Sequence, residues 1–125
     1  MKLLLDTHAL LWWLEDPHLL SKEARNAVRN GRNAVYVSAA VAWEIVIKKG
    51  LGKLEVPDNL EATLAQNRFL ALPISVSHAL AVEKLPLHHR DPFDRMLIAQ
   101  AVHEGLTLVS RDSQVRQYPV SCIAA

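Results

Sequence analysis

Four carboxylates stand far apart in the chain, yet each falls where an open parallel sheet would present it at one edge: Asp6, Glu44, Asp94 and Asp112. Asp6 ends the apolar run at residues 3–5, and Asp112 follows the apolar run at residues 106–109. Ligands of doubly wound sheets gather outside the carboxyl ends of the strands, so these acids are expected to converge. Converging carboxylates repel one another and oppose folding unless a cation neutralises them. Oxygen ligands favour Mg²⁺ or Mn²⁺ over zinc, so the pattern predicts a metal site.

Glu44 is the most informative of these acids because it is the only charged residue in the apolar segment from Ala39 to Ile47. A carboxylate on so apolar a helix is expected to be partly buried, where an unpaired charge is costly without a cation or hydrogen bonds. A salt bridge to Lys48, four residues later on an exposed stripe, is the alternative. The sequence leaves both interpretations open.

The other acids also have structural explanations. Asp6 is placed to cap the first helix as well as to bind a metal, and both roles stay open. Asp91 precedes Pro92 and is interpreted as a helix cap, while Asp94 in that helix's first turn would meet the positive end of the helix dipole. Asp112 fits an ordinary turn and is uninformative alone.

The elements that must position these acids alternate between strands and helices. Apolar runs predict strands at residues 2–5, 34–37, 70–74, 106–109 and 118–123. Helical spacing, caps and breakers predict helices at residues 8–15, 21–31, 39–49, 59–69, 75–85 and 91–104. In the helix at 75–85, Ala79, Val82 and Leu85 form the expected apolar stripe. Strands that alternate with helices favour a parallel sheet covered on both faces.

Composition limits the classes of protein that fit. The chain has 125 residues, half of them hydrophobic, which suits one globular domain over residues 1–125 and excludes a disordered chain. The 14 Lys and Arg nearly balance the 13 Asp and Glu, so net charge gives no argument for nucleic-acid binding. Cys122 is the only cysteine, which excludes an internal disulfide. With no signal-peptide pattern and no membrane-spanning apolar run, we expect a cytoplasmic protein without membrane association.

Several other chemistries lack their motifs. The six histidines include no His-Glu-x-x-His pair, so the zinc signal is weak. The first strand-to-helix turn, at residues 5–9, has no glycine, which argues against a dinucleotide fingerprint or a P-loop. The segment His88-His89-Arg90 is interpreted as a solvated loop in preference to a phosphate contact. Basic residues near the acids are candidate phosphate donors, although surface solubility explains most of them singly: Lys48, Lys49, Lys53, Arg90, Arg95 and Arg111.

Two adjacent tryptophans cannot both face one core from neighbouring helical positions. We expect one of Trp12 and Trp13 to lie in the core and the other in a subunit or partner interface.

Four segments contain the acids together with characteristic neighbours: Leu3-Leu4-Leu5-Asp6-Thr7-His8-Ala9-Leu10-Leu11-Trp12, Ser38 with Trp43-Glu44-Ile45, His89-Arg90-Asp91-Pro92-Phe93-Asp94-Arg95-Met96-Leu97-Ile98-Ala99, and Leu108-Val109-Ser110-Arg111-Asp112. With these segments, which span nearly the whole chain, the sequence resembles PIN-domain ribonucleases, specifically the VapC-type toxins of bacterial toxin–antitoxin pairs. The family's acidic quartet falls on the four acids identified above. Thr7 and Ser110 match positions that often support such a cluster, whereas Asp91 is an extra acid of open role.

The resemblance implies a PIN-like three-layer α/β/α sandwich, for which we expect a mainly parallel sheet of four to five strands. It also implies divalent-metal-dependent RNA cleavage, homodimerisation and inhibition by a cognate antitoxin protein. On this basis Asp6 and Asp94 would hold Mg²⁺ or Mn²⁺, with Glu44 and Asp112 completing the site, and a water activated by the ion would hydrolyse an RNA phosphodiester.

Two other classes of function compete with this hypothesis. A catalytically silent PIN-like module would bind a protein partner without cleaving RNA, but the intact quartet argues against it. A phosphatase with Asp6 as nucleophile is less favoured because the usual second Asp, two positions later, is replaced by His8.

Overall fold

The computed structural model describes all 125 residues of the chain. Five strands form one sheet, and each neighbouring pair of strands is parallel. The strands occur in the spatial order β3-β2-β1-β4-β5 and have these bounds: β1 (Lys2–Leu5), β2 (Ala34–Ser38), β3 (Leu70–Leu72), β4 (Thr107–Val109) and β5 (Cys122–Ile123). The sheet confirms the predicted parallel α/β architecture and its strand number.

Six α-helices connect the strands, and short 3-10 turns lie at residues 17–19, 82–84 and 115–117. Parallel neighbours require crossover connections, which the helices supply. None of the helices is long and apolar enough to cross a membrane. The helices are α1 (Thr7–Glu15), α2 (Lys22–Arg29), α3 (Ala39–Gly50), α4 (Leu60–Gln66), α5 (Val76–Ala81) and α6 (Pro92–Glu104).

The centre of the sheet is the most deeply buried part of the molecule. Leu3, Leu4 and Leu5 of β1 are completely buried, because β1 pairs with β2 on one side and with β4 on the other. A strand covered on both faces carries a continuous apolar run, which is why residues 3–5 show no alternation. The chain runs from β1 to β2 on one side but reaches β4 on the other side only later. This change in strand order creates a crevice beyond the carboxyl ends of β1 and β4.

Two helix boundaries follow from local chemistry. Asp91 caps α6, and Pro92 occupies its first position, where the missing N–H costs nothing. At the other end, Gly105 adopts φ +68°, a left-handed conformation that glycine reaches without steric penalty. The predicted bounds of this helix are therefore confirmed almost residue for residue.

The segment after β3 differs from expectation. The predicted helix at residues 75–85 consists of α5 and a following 3-10 turn, and its buried side chain is His78. Ala79 of the predicted apolar stripe is exposed, while Val82 and Leu85 are half-buried. The stripe prediction is thus wrong at its first position, because the helix is too short to present one continuous face.

The predicted division between the two tryptophans is not seen within the chain, since both side chains are half-buried and pack against the core, and the interface role stays a prediction. Trp13 donates its indole N–H to Oδ1 of Asn67 at 3.0 Å and packs beside Phe69. Trp12 lies under the guanidinium of Arg111, 4.2 Å from ring centroid to Cζ. Each tryptophan therefore keeps part of its surface in contact with the protein.

Candidate metal and nuclease site

The four predicted acids line one cleft of about 410 Å³ at the strand ends. Each comes from a different part of the fold. Asp6 directly follows β1, Glu44 lies in the second turn of α3 after β2, Asp94 lies in the first turn of α6, and Asp112 follows β4. The convergence arises because β1, β2 and β4 are adjacent parallel strands whose carboxyl ends share one edge.

Asp6 is both a helix cap and a wall of the cleft. Its Oδ1 accepts a hydrogen bond from the Ala9 N–H at 2.8 Å. Only 7% of Asp6 is exposed, and burial raises the pKa of its carboxyl, although the Ala9 N–H and the Ser110 hydroxyl act to lower it. A cap therefore does not exclude a second role for this side chain.

Glu44 combines both of its predicted environments. It is 6% exposed, and its Oε1 accepts a short hydrogen bond from the Thr7 hydroxyl. Its Oε2 pairs with Nζ of Lys48 at 2.8 Å, one helical turn later. The hydrogen bond to Glu44 raises the pKa of the Lys48 ammonium, although burial acts to lower it. The buried carboxylate is thus fixed by one neutral and one positively charged donor.

Asp94 carries the clearest electrostatic strain. Burial, together with the negative charges of Asp91, Asp6 and Glu44, raises the pKa of its carboxyl to about 7, although His89 acts to lower it. Asp91 caps α6 as predicted, because its Oδ1 accepts the N–H groups of Phe93 at 2.8 Å and Asp94 at 3.1 Å. Asp91 therefore adds a fifth carboxylate to the cleft.

His89 is a site residue that the sequence interpretation missed. Its Nε2 lies 2.9 Å from Oδ2 of Asp94 and 2.8 Å from Oδ2 of Asp112. Its Nδ1 accepts the Asp91 N–H at 3.2 Å, so the ring proton resides on Nε2 and is shared by the two carboxylates. The solvated-loop interpretation is wrong for this residue. Its position two residues before the capping Asp91 was the available signal, because a backbone N–H there can orient the ring.

The expected basic donors divide into structural and available groups. Arg95 donates to the carbonyl oxygens of Pro86 and Val82 and to the Tyr118 hydroxyl, at 3.1 to 3.2 Å. Arg111 lines the cleft but donates from Nε and Nη2 to the carbonyl oxygen of Ala125. Lys48 also lines the cleft, whereas Lys49, Lys53 and Arg90 are exposed.

The residues of the cleft fit a divalent cation. The donors are carboxylate oxygens, which suit hard ions, and the raised pKa of Asp94 reports an excess of negative charge that a cation would relieve. Carboxylate oxygens of Asp94 and Asp112 already lie within 4.8 Å of each other, on either side of His89 Nε2, whose proton makes it a donor to both acids and not a metal ligand. The arrangement is thus a candidate acidic metal site.

A second histidine–carboxylate cluster lies between α5 and α6 and does not fit a metal. Ligand atoms of His78, His103 and Glu104 also lie within 4.8 Å of one another. However, Nδ1 of the buried His78 accepts the Ser75 N–H at 3.0 Å, so the proton sits on Nε2, which lies 2.7 Å from Glu104. A metal-bound histidine donates its other ring N–H, and here that nitrogen faces a donor.

Comparison with known proteins identifies the family. The PIN domain model matches residues 3–120. Ribonuclease VapC16 of Mycobacterium tuberculosis is 32% identical over 103 residues, covering 81% of this chain and 70% of the relative. This chain belongs to the PIN-domain family, alongside the VapC ribonucleases. Ribonuclease VapC22 of the same organism is 25% identical to this PIN domain over 119 residues, covering 92% of the chain and 90% of the relative.

Solved structures share the fold of this PIN domain. VapBC2 from Rickettsia felis, bound to a DNA fragment of its promoter, has a TM-score of 0.71 at 17% identity and covers 98% of both chains. DNA-bound VapBC from Salmonella typhimurium has the same score and identity, covering 98% of this chain and 97% of the other. A toxin–antitoxin complex from Klebsiella pneumoniae has a TM-score of 0.64 at 20% identity, covering 97% and 95%. These likenesses confirm the α/β/α fold of the PIN domain.

Proposed function

We propose that this PIN domain is a metal-dependent ribonuclease that hydrolyses RNA phosphodiester bonds and acts as the toxin of a toxin–antitoxin pair. The observation that carries the proposal is the convergence of Asp6, Glu44, Asp94 and Asp112 on one cleft. The family relationship to VapC ribonucleases supports the same activity. An RNA substrate suits a location in the cytoplasm, and the proposal assigns residues 1–125 to one PIN domain.

The four acids would hold the ion, with Asp6 and Asp94 as the principal ligands and Glu44 and Asp112 completing the site directly or through waters. A bound divalent ion lowers the pKa of the attacking water and stabilises charge on the phosphoryl oxygens. Mg²⁺ and Mn²⁺ are the ions best matched to a donor set of oxygens.

Neighbouring side chains hold these acids in place. The Thr7 hydroxyl fixes one oxygen of Glu44, and the Ala9 N–H fixes one oxygen of Asp6. His89 Nε2 donates to both Asp94 and Asp112 and so keeps two acids from different segments together against their mutual repulsion. These contacts prepare the cleft before an ion or RNA enters, which lowers the cost of reorganisation during the reaction.

Metal dependence of RNA cleavage tests the proposal. The purified wild-type protein should cleave single-stranded RNA with Mg²⁺ or Mn²⁺. Cleavage should stop in excess chelator and should resume when the ion is restored. Asp112→Asn should be strongly impaired, whereas the matched control Asp58→Asn, at an exposed site that does not line the cleft, should behave as wild type. Cleavage that persists in chelator, or a folded protein that cleaves no RNA with either ion, would contradict it.

Protein partners are the second part of the proposal: a homodimer and a cognate antitoxin that blocks the cleft. An apolar groove of about 650 Å³ between α3, α5 and α6 supports a protein interface, and its rim includes Trp43, which is 61% exposed. Exposed apolar surface of this kind favours cover by another protein. The solved relatives include toxin–antitoxin complexes. Light scattering that shows only monomer at micromolar concentration would count against the dimer.

A further inference from the structure

Electrostatic repulsion is the main obstacle to RNA binding at this cleft. Five carboxylates line it, and each RNA phosphodiester carries a further negative charge. An RNA phosphate therefore needs positively charged partners from the protein in addition to any bound ion. The cations that line the cleft are Lys48 and Arg111.

Lys48 is held at the wall of this cleft by its ion pair with Glu44, one of the four acids of the proposed metal site. It lies one turn after Glu44 on α3, and its Nζ is 2.8 Å from Oε2 of that residue. Glu44 is itself fixed in position, because it is buried and its other carboxylate oxygen accepts a hydrogen bond from the Thr7 hydroxyl. The ammonium is consequently positioned with less freedom than a surface lysine, while its side chain remains 35% exposed to a ligand.

Lys48 also retains free donors, whereas Arg95 and Arg111 use most of theirs on other groups of the protein. An ammonium has three N–H donors, and the pair with Glu44 occupies one of them. Arg95 donates to backbone carbonyl oxygens, and Arg111 uses Nε and Nη2 in the same way.

We propose that Lys48 binds a non-bridging oxygen of an RNA phosphate in the cleft, as a substrate-binding residue of the proposed ribonuclease. The inference rests on that proposed function, because the ligand is its RNA substrate. The competing explanation is purely structural: Lys48 would only neutralise the buried Glu44. The two roles differ in what a neutral hydrogen-bond donor can replace. A glutamine can still donate to Glu44, but it brings no charge to a phosphate.

Salt-dependent RNA binding separates these roles. The probe is a fluorescein-labelled single-stranded RNA of mixed sequence, bound to protein in an Asp94→Asn background that prevents cleavage, between about 50 and 200 mM salt. Lys48→Gln should weaken binding about tenfold at the lower salt concentration. It should also reduce the slope of log affinity against log salt by about 0.7, the value for one phosphate contact on a single strand.

Two further variants complete the experiment. Lys49→Gln removes the same charge from the exposed neighbouring position and should leave the slope unchanged. Lys48→Arg keeps the charge and should retain most of the affinity. The proposal is overturned if Lys48→Gln and Lys49→Gln give the same slope and affinity. The wild-type protein's failure to cleave RNA would instead contradict the proposed nuclease function, while the binding comparison would still decide the role of Lys48.

Discussion

The cleft at the strand ends and the cluster between α5 and α6 are built from the same chemical groups. In each, a histidine accepts a backbone N–H at Nδ1 and places Nε2 against carboxylate oxygen: His89 against Asp94 and Asp112, and His78 against Glu104. Distance alone makes both clusters candidate metal sites. Their charge balance separates them.

In the α5–α6 cluster, hydrogen-bond donors are paired with acceptors. The Gln100 side-chain amide donates to the Pro73 carbonyl oxygen, and its oxygen accepts the Ser38 hydroxyl at 2.6 Å. His78 Nε2 donates to Glu104. In the cleft, five carboxylates outnumber the positively charged side chains Lys48 and Arg111, and the pKa of Asp94 rises to about 7 because of burial and neighbouring acids. The difference teaches that unmatched negative charge identifies a cation site more reliably than the mere proximity of histidines and acids.

The largest difference is expected between two glutamate substitutions. Glu44→Gln removes a carboxylate from the cleft and should lower RNA cleavage at least about 100-fold, equivalent to roughly 3 kcal/mol of transition-state stabilisation. Glu104→Gln removes the carboxylate of the other cluster and should leave cleavage within about twofold of wild type, since that residue touches no part of the cleft. Rates under single-turnover conditions check this. Equal losses in both variants would erase the functional distinction between the clusters.

The two histidines should respond differently to a divalent ion. His78→Ala removes a buried ring together with the hydrogen-bond partner of the Ser75 N–H and of Glu104, and should cost about 2 kcal/mol of unfolding free energy. His89→Ala should also destabilise the fold in chelator, by about 1 kcal/mol, because Asp94 and Asp112 lose their shared donor.

Denaturant unfolding with and without Mg²⁺ measures both effects. The ion should restore His89→Ala towards wild-type stability, because it supplies the missing positive charge, but it should not restore His78→Ala. If Mg²⁺ restored the stability of His78→Ala, the ion would bind at the α5–α6 cluster, which would contradict this account.

A smaller effect is expected in the pH dependence of the metal-free protein. Burial raises the pKa of Asp94 from its ordinary value of 3.8 to about 7 in the folded state, so the folded protein binds a proton that the unfolded chain has lost. The contribution of Asp94 to the free energy of unfolding is therefore fully present below about pH 4. It is lost as the pH rises through about 7, and the loss is on the order of 1 kcal/mol after allowance for partial exposure.

Chemical denaturation in chelator between about pH 4 and pH 8 follows this change. Asp94→Asn should flatten the profile, and Asp58→Asn should not. A profile of unchanged steepness in Asp94→Asn would show that another group titrates.

The predicted parts of the molecule are those that short sequence patterns determine. The buried run at residues 3–5, the Asp91-Pro92 helix start and the Gly105 stop were readable because each reflects local backbone chemistry. Asp6, Asp94 and Asp112 were readable because they follow strands or open a helix at one sheet edge, and Glu44 because it is the only charge in an apolar helical segment.

The missed features depend on tertiary contacts. His89 lies in an irregular segment whose path has no periodicity, so the sequence could not place its ring between Asp94 and Asp112. His78 replaces the predicted apolar stripe as the buried residue of α5 because Gln100 and Glu104, on a different helix, satisfy its ring. Helical spacing alone cannot predict the contacts of either histidine.

Asp94→Asn in chelator, paired with an Mg²⁺- or Mn²⁺-dependent RNA cleavage assay, tests the central claim most directly. Asparagine keeps the shape of the side chain but removes one of the mutually repelling charges, so the metal-free mutant should melt at the same temperature as wild type or higher. Its RNA cleavage should fall by orders of magnitude. An acid that served only the start of α6 would behave oppositely, because its neutralisation loses favourable dipole energy. A mutant that is destabilised in chelator yet fully active would contradict the account.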